Sequence, residues 1–166
     1  MVPIALAPAP AAAAALEYAV KANFLYKFAP FVRWPANAFA SDRAPFQICV
    51  AGADPFGSTL DDAVRGQRID TRAIAIRRMQ PLDPVSGCQI LFVGELRGQT
   101  AVDIMRTSRR QPVLIVTDER QGNVNGAIRF VIRGGRVRFV INRANAASAG
   151  LTISSKLLEL AVAVEK

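Results

Sequence analysis

Along this chain, hydrophobic and polar positions alternate in blocks that change period, and the clearest block is the last. Residues 128–133 and 136–142 alternate with period two around Gly134-Gly135. Both glycines tolerate positive φ, so the pattern predicts a β-hairpin with a primed two-residue turn. That turn fixes the register: Arg133 faces Arg136, Ile132 faces Val137, Phe130 faces Phe139, and Ile128 faces Ile141. One face is then wholly apolar. The other carries Arg129, Val131, Arg133, Arg136, Arg138 and Val140. The first face is core; the second is either solvated or a docking surface.

Upstream, Leu16, Val20, Phe24, Phe28 and Phe31 recur every three or four residues. They predict a helix over 16–33, buried through that stripe, weakened at Pro30 and ended by Pro35. Phe46–Ala51 reads as a strand. Asp54–Arg65 reads as a helix with Asp54 as N-cap and Pro55 in its first turn. Arg68–Met79 alternates as one strand. Cys88–Val93 and Pro112–Val116 are continuous apolar runs, the mark of central strands covered on both faces. Gly98–Arg109 is an amphipathic helix between them. After the hairpin come a polar bend at 143–150 and a final helix from Ser154 to Val164. The order predicts an α/β fold: a single domain over 16–166, with a mixed central sheet flanked by helices and a C-terminal β-hairpin and helix.

Composition narrows the chemistry. The 166 residues carry a net charge of +8, mostly from arginine, and 51% are hydrophobic. The charge is scattered, and no zinc motif or nucleic-acid signature accompanies it, so nucleic acid is not expected as a partner. There is no histidine, which removes the commonest general base and metal ligand. Two cysteines without clustered carboxylates make no metal site, and no cofactor is expected. Asp61-Asp62, Asp103 and Asp118-Glu119 pair with no recognisable base, and they read as surface groups rather than catalytic ones. Residues 1–15, apolar and ending in an alanine run, read as the remnant of a secretory leader or as a low-complexity extension, disordered or removed. No segment reaches transmembrane length.

Two further features carry alternatives. Gly52–Gly57 joins a predicted strand to a predicted helix, where a phosphate loop would sit, but lacks the Lys and Ser/Thr of one. Cys49 and Cys88 each fall in a predicted apolar strand. In a reducing compartment they would remain buried thiols; in an oxidising one they would pair.

Several segments together resemble the YfiR-like family of small bacterial periplasmic proteins. They are Val20–Phe28 with Trp34-Pro35, Ile48–Gly57, Cys88–Val93, Val113–Asp118, Gly126–Phe130, and Val137–Asn142 running through Ala149–Leu151 to Ser154–Leu158. No single piece is specific; their order and spacing are. The resemblance implies a non-enzymatic inhibitor in the periplasm. Such a protein binds the periplasmic sensor domain of an inner-membrane diguanylate cyclase and keeps cyclic-di-GMP and biofilm formation low. It implies an outer-membrane lipoprotein as a second partner and leaves a homodimer open. Cys49 and Cys88 fall on a family cysteine pair, which implies a disulfide; a second pair found in some members is absent.

The resemblance also places much of the partner contact between Phe139 and Leu151, where Asn142, Arg143, Asn145, Ser148 and Leu151 are the candidates; Arg129 and Arg138, on the arginine face of the hairpin, are read as its flank. Leu151 could equally seat the last helix on the core. Where relatives often carry an acidic residue, this chain has Val140, so Arg129 is expected to lack a cross-strand partner. Rival readings are a small-molecule-binding periplasmic module with a pocket near Gly52–Gly57 and an anionic-polymer binder using the arginine face.

Overall fold

The computed structural model describes residues 10–80, 83–96, 99–122 and 124–166. Five helices lie among them: α1 (Pro10–Lys27), α2 (Ser58–Val64), α3 (Gln99–Ser108), α4 (Arg143–Ser148) and α5 (Ser155–Leu160). The strands are β1 (Val32–Arg33), β2 (Phe46–Ala51), β3 (Arg68–Ile69), β4 (Arg72–Arg78), β5 (Ile90–Val93), β6 (Leu114–Asp118), β7 (Ile128–Arg133), β8 (Arg136–Asn142), β9 (Thr152–Ile153) and β10 (Ala163–Glu165). Eight of them form one sheet in the order β10-β8-β7-β6-β5-β2-β4-β3, and β1 pairs with β9 separately. The predicted α/β class with a mixed sheet is what forms. Within the large sheet only β7–β8 and β3–β4 are antiparallel.

The apolar runs at 90–93 and 114–118 sit in the middle of the sheet because both of their faces are covered. One face, through Ile48, Phe92, Val116 and Phe130, packs against Leu25 of α1, Phe28 just after it and Leu60 of α2. The other carries a smaller core of Cys49, Cys88, Leu91 and Val93, closed by Ile104 of α3. The hairpin has the expected register at every predicted pair, with φ of +59° and +72° at Gly134 and Gly135. It lies toward one edge of the sheet, one strand in. After α5 the chain turns back, Val162 N–H donates to Phe139 O at 3.0 Å, and β10 pairs in parallel with β8. The predicted final helix therefore starts where expected, with Ser154 accepting from Leu157 N–H, and stops at Leu160.

Four other expectations change. First, the α1 stripe is rotated. Leu16 is 68% exposed, while Lys21, Ala22 and Leu25 are buried. What turns the helix is a pair of charges: Lys21 Nζ lies 2.7 Å from Asp118 Oδ2, both side chains fully buried, and also bonds Glu17. Glu17 is held in turn by Arg120 Nε at 2.9 Å, and Arg120 N–H donates to Asp118 Oδ1 at 3.0 Å. Asp118 is thus a buried partner rather than a surface group, whereas Asp62 and Glu119 are exposed as expected. Residues 10–15 continue α1 as exposed helix, residues 1–9 lie outside the described residues, and a short 3-10 turn at Ala29–Phe31 replaces the last predicted turns at Pro30.

Second, Asp54 does not cap α2; its carboxylate accepts from Phe56 and Gly57 N–H in a turn before the helix. Third, the predicted strand 68–79 is a tight hairpin, broken at Asp70 with φ +53°. Fourth, the bend at 143–150 contains a helix. Asn142 Oδ1 accepts Asn145 N–H at 2.9 Å and caps α4. Sequence periodicity is silent over six residues of Arg, Ala, Asn and Ser, so the cap decides.

Candidate partner-binding surface

At the end of the sheet where β6 and β7 begin and β8 ends, α3 and α4 face one another across a cleft of about 520 Å³. Its apolar lining is Met105, Val113, Ile115 and Ala127; its polar lining includes Arg109, Arg110, Asn125, Asn145 and Ser148. Local chemistry builds it. Gly126 passes so close to β6 that a Cβ there would lie 2.5 Å from Ile115 O. Asn145 Nδ2 donates to Gly126 O at 3.1 Å and ties α4 to that strand start. Asn142 N–H donates to Ala127 O at 2.8 Å. Arg110 follows α3 in the left-handed region, φ +66°, which costs a non-glycine residue on the order of 1 kcal/mol and occurs where the surroundings fix it.

Among the described residues, no carboxylate lines this cleft. Arg109, Arg110, Arg138 and Arg143 are exposed, and none has an ion-pair partner among the described residues. The cleft therefore has an apolar floor and two uncompensated arginines, Arg109 and Arg110, in its lining, a combination suited to a protein partner with acidic residues around an apolar anchor.

The residues expected to contact a partner divide by location. Asn145 and Ser148 line the cleft. Ser148 Oγ donates to Ala144 O at 2.9 Å within α4. Arg143 opens the same helix, exposed. Asn142 is its cap, and Leu151 is buried in the main core at 5% exposure, so these two shape the surface from beneath. Arg138 lies on the open face of β8. Arg129 faces Val140 as expected, but it is not without a partner. Its Nη2 lies 3.7 Å from Glu165 of β10, and Nη1 donates to Asn125 Oδ1 at 3.4 Å. A carboxylate from two strands away takes the place of the cross-strand one, because β10 lies parallel to β8 on its far side and carries Glu165 level with Asn142. Arg109, Arg110 and Asn125 were not singled out from sequence; a double arginine closing an amphipathic helix was the available signal.

Cys49 and Cys88 are joined by a disulfide with a Cα–Cα distance of 5.8 Å. Arg77, level with Cys49 on β4, donates to Cys88 Sγ at 3.0 Å. A second cleft of about 540 Å³ lies above this bridge, lined by Gly52, Met79, Leu96 and Ile104 among others. It touches one end of the Gly52–Gly57 segment only.

The displaced titrations lie elsewhere. Arg78 is held further above its ordinary range by Asp61 and Asp54, which it bonds at 2.7 and 2.8 Å. The same contact with Arg78 lowers Asp61. Burial pushes Glu119 up, but Ile132 N–H and Arg133 outweigh it and leave its pKa lowered. Burial raises Tyr18.

Among the described residues, no helix is long and apolar enough to cross a membrane. Comparison with curated proteins finds no match. A family model described as YfiR/HmsC-like matches residues 18–162, a span that contains every strand of the sheet but β10, the disulfide and the α3–α4 cleft, and the chain belongs to that family.

Proposed function

We propose that the protein is a non-enzymatic periplasmic regulator. It binds the periplasmic sensor domain of an inner-membrane diguanylate cyclase, represses it, and so lowers cyclic-di-GMP signalling and biofilm formation. Family membership supports the class. The observation that carries the binding mode is the carboxylate-free, arginine-rimmed cleft between α3 and α4. The Cys49–Cys88 bridge suits an oxidising compartment, and residues 1–15 would be the leader removed on export.

In this reading Arg138, Arg143 and Arg109 touch the partner. Arg129, Asn142, Asn145, Ser148 and Leu151 hold the surface in shape. An outer-membrane lipoprotein would compete for the inhibitor. Calorimetric titration of the oxidised protein with the sensor domain of a candidate cyclase tests this. Exchanging Arg109 and Arg143 for Glu is expected to weaken binding about tenfold or more while thermal stability stays unchanged. Wild-type affinity in the double variant would sink the site. The second cleft, which mixes Met79, Leu96 and Ile104 with Gln80, Asp83 and Arg106, favours one rival, a small-molecule module. Thermal-shift screening separates the two, since a ligand in that cleft would raise the melting temperature without the cyclase domain.

A further inference from the structure

The far edge of the sheet from the C-terminal hairpin is open. Strand β4 pairs with β2 from Ile74 to Arg78 on one side. On the other, β3 reaches only Arg72 and Ala73. Met79 N–H donates to Val50 O. In a parallel ladder alternate residues turn both backbone groups to the same neighbour. Ala75 and Arg77 therefore face β2 and Ile74 ends the β3 pairing, while Ile76 and Arg78 turn theirs outward, beyond the reach of β3. Natural edges are usually blunted by charge, proline, a bulge or a cover. Here the half-buried Ile74, Ala75 and Ile76 carry none of these devices, and charge along β4 appears at Arg72, Arg77 and Arg78.

Beside this edge runs a groove of about 440 Å³. Ile74 and Ile76 are its floor, and Val64, Arg65 and Arg68 stand along its wall. Arg68 and Arg77 have no carboxylate partner among the described residues. A second copy fits poorly. Antiparallel self-pairing across Ile76 would crowd Arg77 and Arg78 of both chains onto one seam, and each chain already carries +8.

We propose that the free edge of β4 takes an extended, acidic segment of a partner protein by strand addition. The added strand bonds the outward backbone groups of Ile76 and Arg78. Its alternate apolar side chains enter the groove over Ile74 and Ile76, and its acidic residues meet Arg68 and Arg77. The edge lies across the sheet from the α3–α4 cleft, so this site stands independently of the cyclase reading.

The test uses the full oxidised protein and a fluorescein-labelled peptide, Glu-Asp-Val-Thr-Val-Thr-Val-Asp-Glu, followed by anisotropy and by amide hydrogen exchange. Saturable binding is expected, with slowed exchange at Ile76 and Arg78. Ile76→Pro removes one outward N–H without touching the β2 ladder and should weaken binding about fivefold or more. Arg68→Glu, at an exposed position, should weaken it as well while leaving the melting temperature at the wild-type value. Four results would each overturn the proposal. One is no anisotropy change up to about 1 mM peptide, and another is equal affinity for a peptide with Lys in place of Asp and Glu. The third is protection confined to other strands. The last is a concentration-dependent dimer abolished by Ile76→Pro, which would give the edge to a second copy.

Discussion

Replacing Lys21 with Met should be among the most damaging single changes in the protein, although it puts an apolar residue into an apolar helix face. Lys21 Nζ is fully buried and sits against two carboxylates, Asp118 and Glu17. When it goes, Glu17 keeps Arg120 Nε at 2.9 Å and some access to water. Asp118 keeps only the Arg120 N–H at 3.0 Å, and its side chain has no exposure at all. The cost is the desolvation of one uncompensated carboxylate, roughly 3–5 kcal/mol. In a chain of this size that corresponds to a fall in Tm of about 6–20 °C. Removing both charges removes the reason for the penalty, so Lys21→Met with Asp118→Asn should return to within about 2 kcal/mol of wild type. Urea unfolding followed by circular dichroism measures all three variants. A single-variant loss below about 1 kcal/mol, or a double variant no better than the single, would refute the assignment of this pair as the element that orients α1.

Two other expectations follow from the geometry. The bridge closes a loop with a sequence separation of 39, so Cys49→Ala with Cys88→Ala should cost about 4 kcal/mol in urea melts on chain-entropy grounds; a loss under about 1 kcal/mol would contradict this. The lowered pKa values of Asp61 and Glu119 make both groups bind protons less readily folded than unfolded. Their contribution is complete above the ordinary carboxylate range and is lost as pH falls through the folded values, so stability should drop below about pH 4. Asp61→Asn should flatten that part of the urea-midpoint profile, and an unchanged profile would count against the Arg78 contact as its cause.

How much was legible in the sequence depended on whether the deciding interaction was local. The Gly134-Gly135 turn set every pair of the hairpin, and the apolar runs marked β5 and β6 as central, because backbone conformation and side-chain alternation act within a few residues. The rotation of α1 was not legible. A helical stripe ranks Leu16 and Val20 above Lys21 by hydropathy, yet Lys21 is buried because Asp118, 97 residues away, is buried with it. The α4 helix escaped notice because a single cap, Asn142, outweighs weak periodicity. β10 was read as helix because its strand pairing depends on β8 being within reach. Arg129 gained Glu165 for the same reason.

The sequence alone therefore determined the class of the fold, the hairpin register and the segments that resemble its family, all of which follow from local pattern. Tertiary structure alone decided which charges are buried, which arginines stay unpaired around the α3–α4 cleft, and which edge of the sheet is left open. Those depend on residues distant in the chain meeting in space, and no local period encodes that meeting.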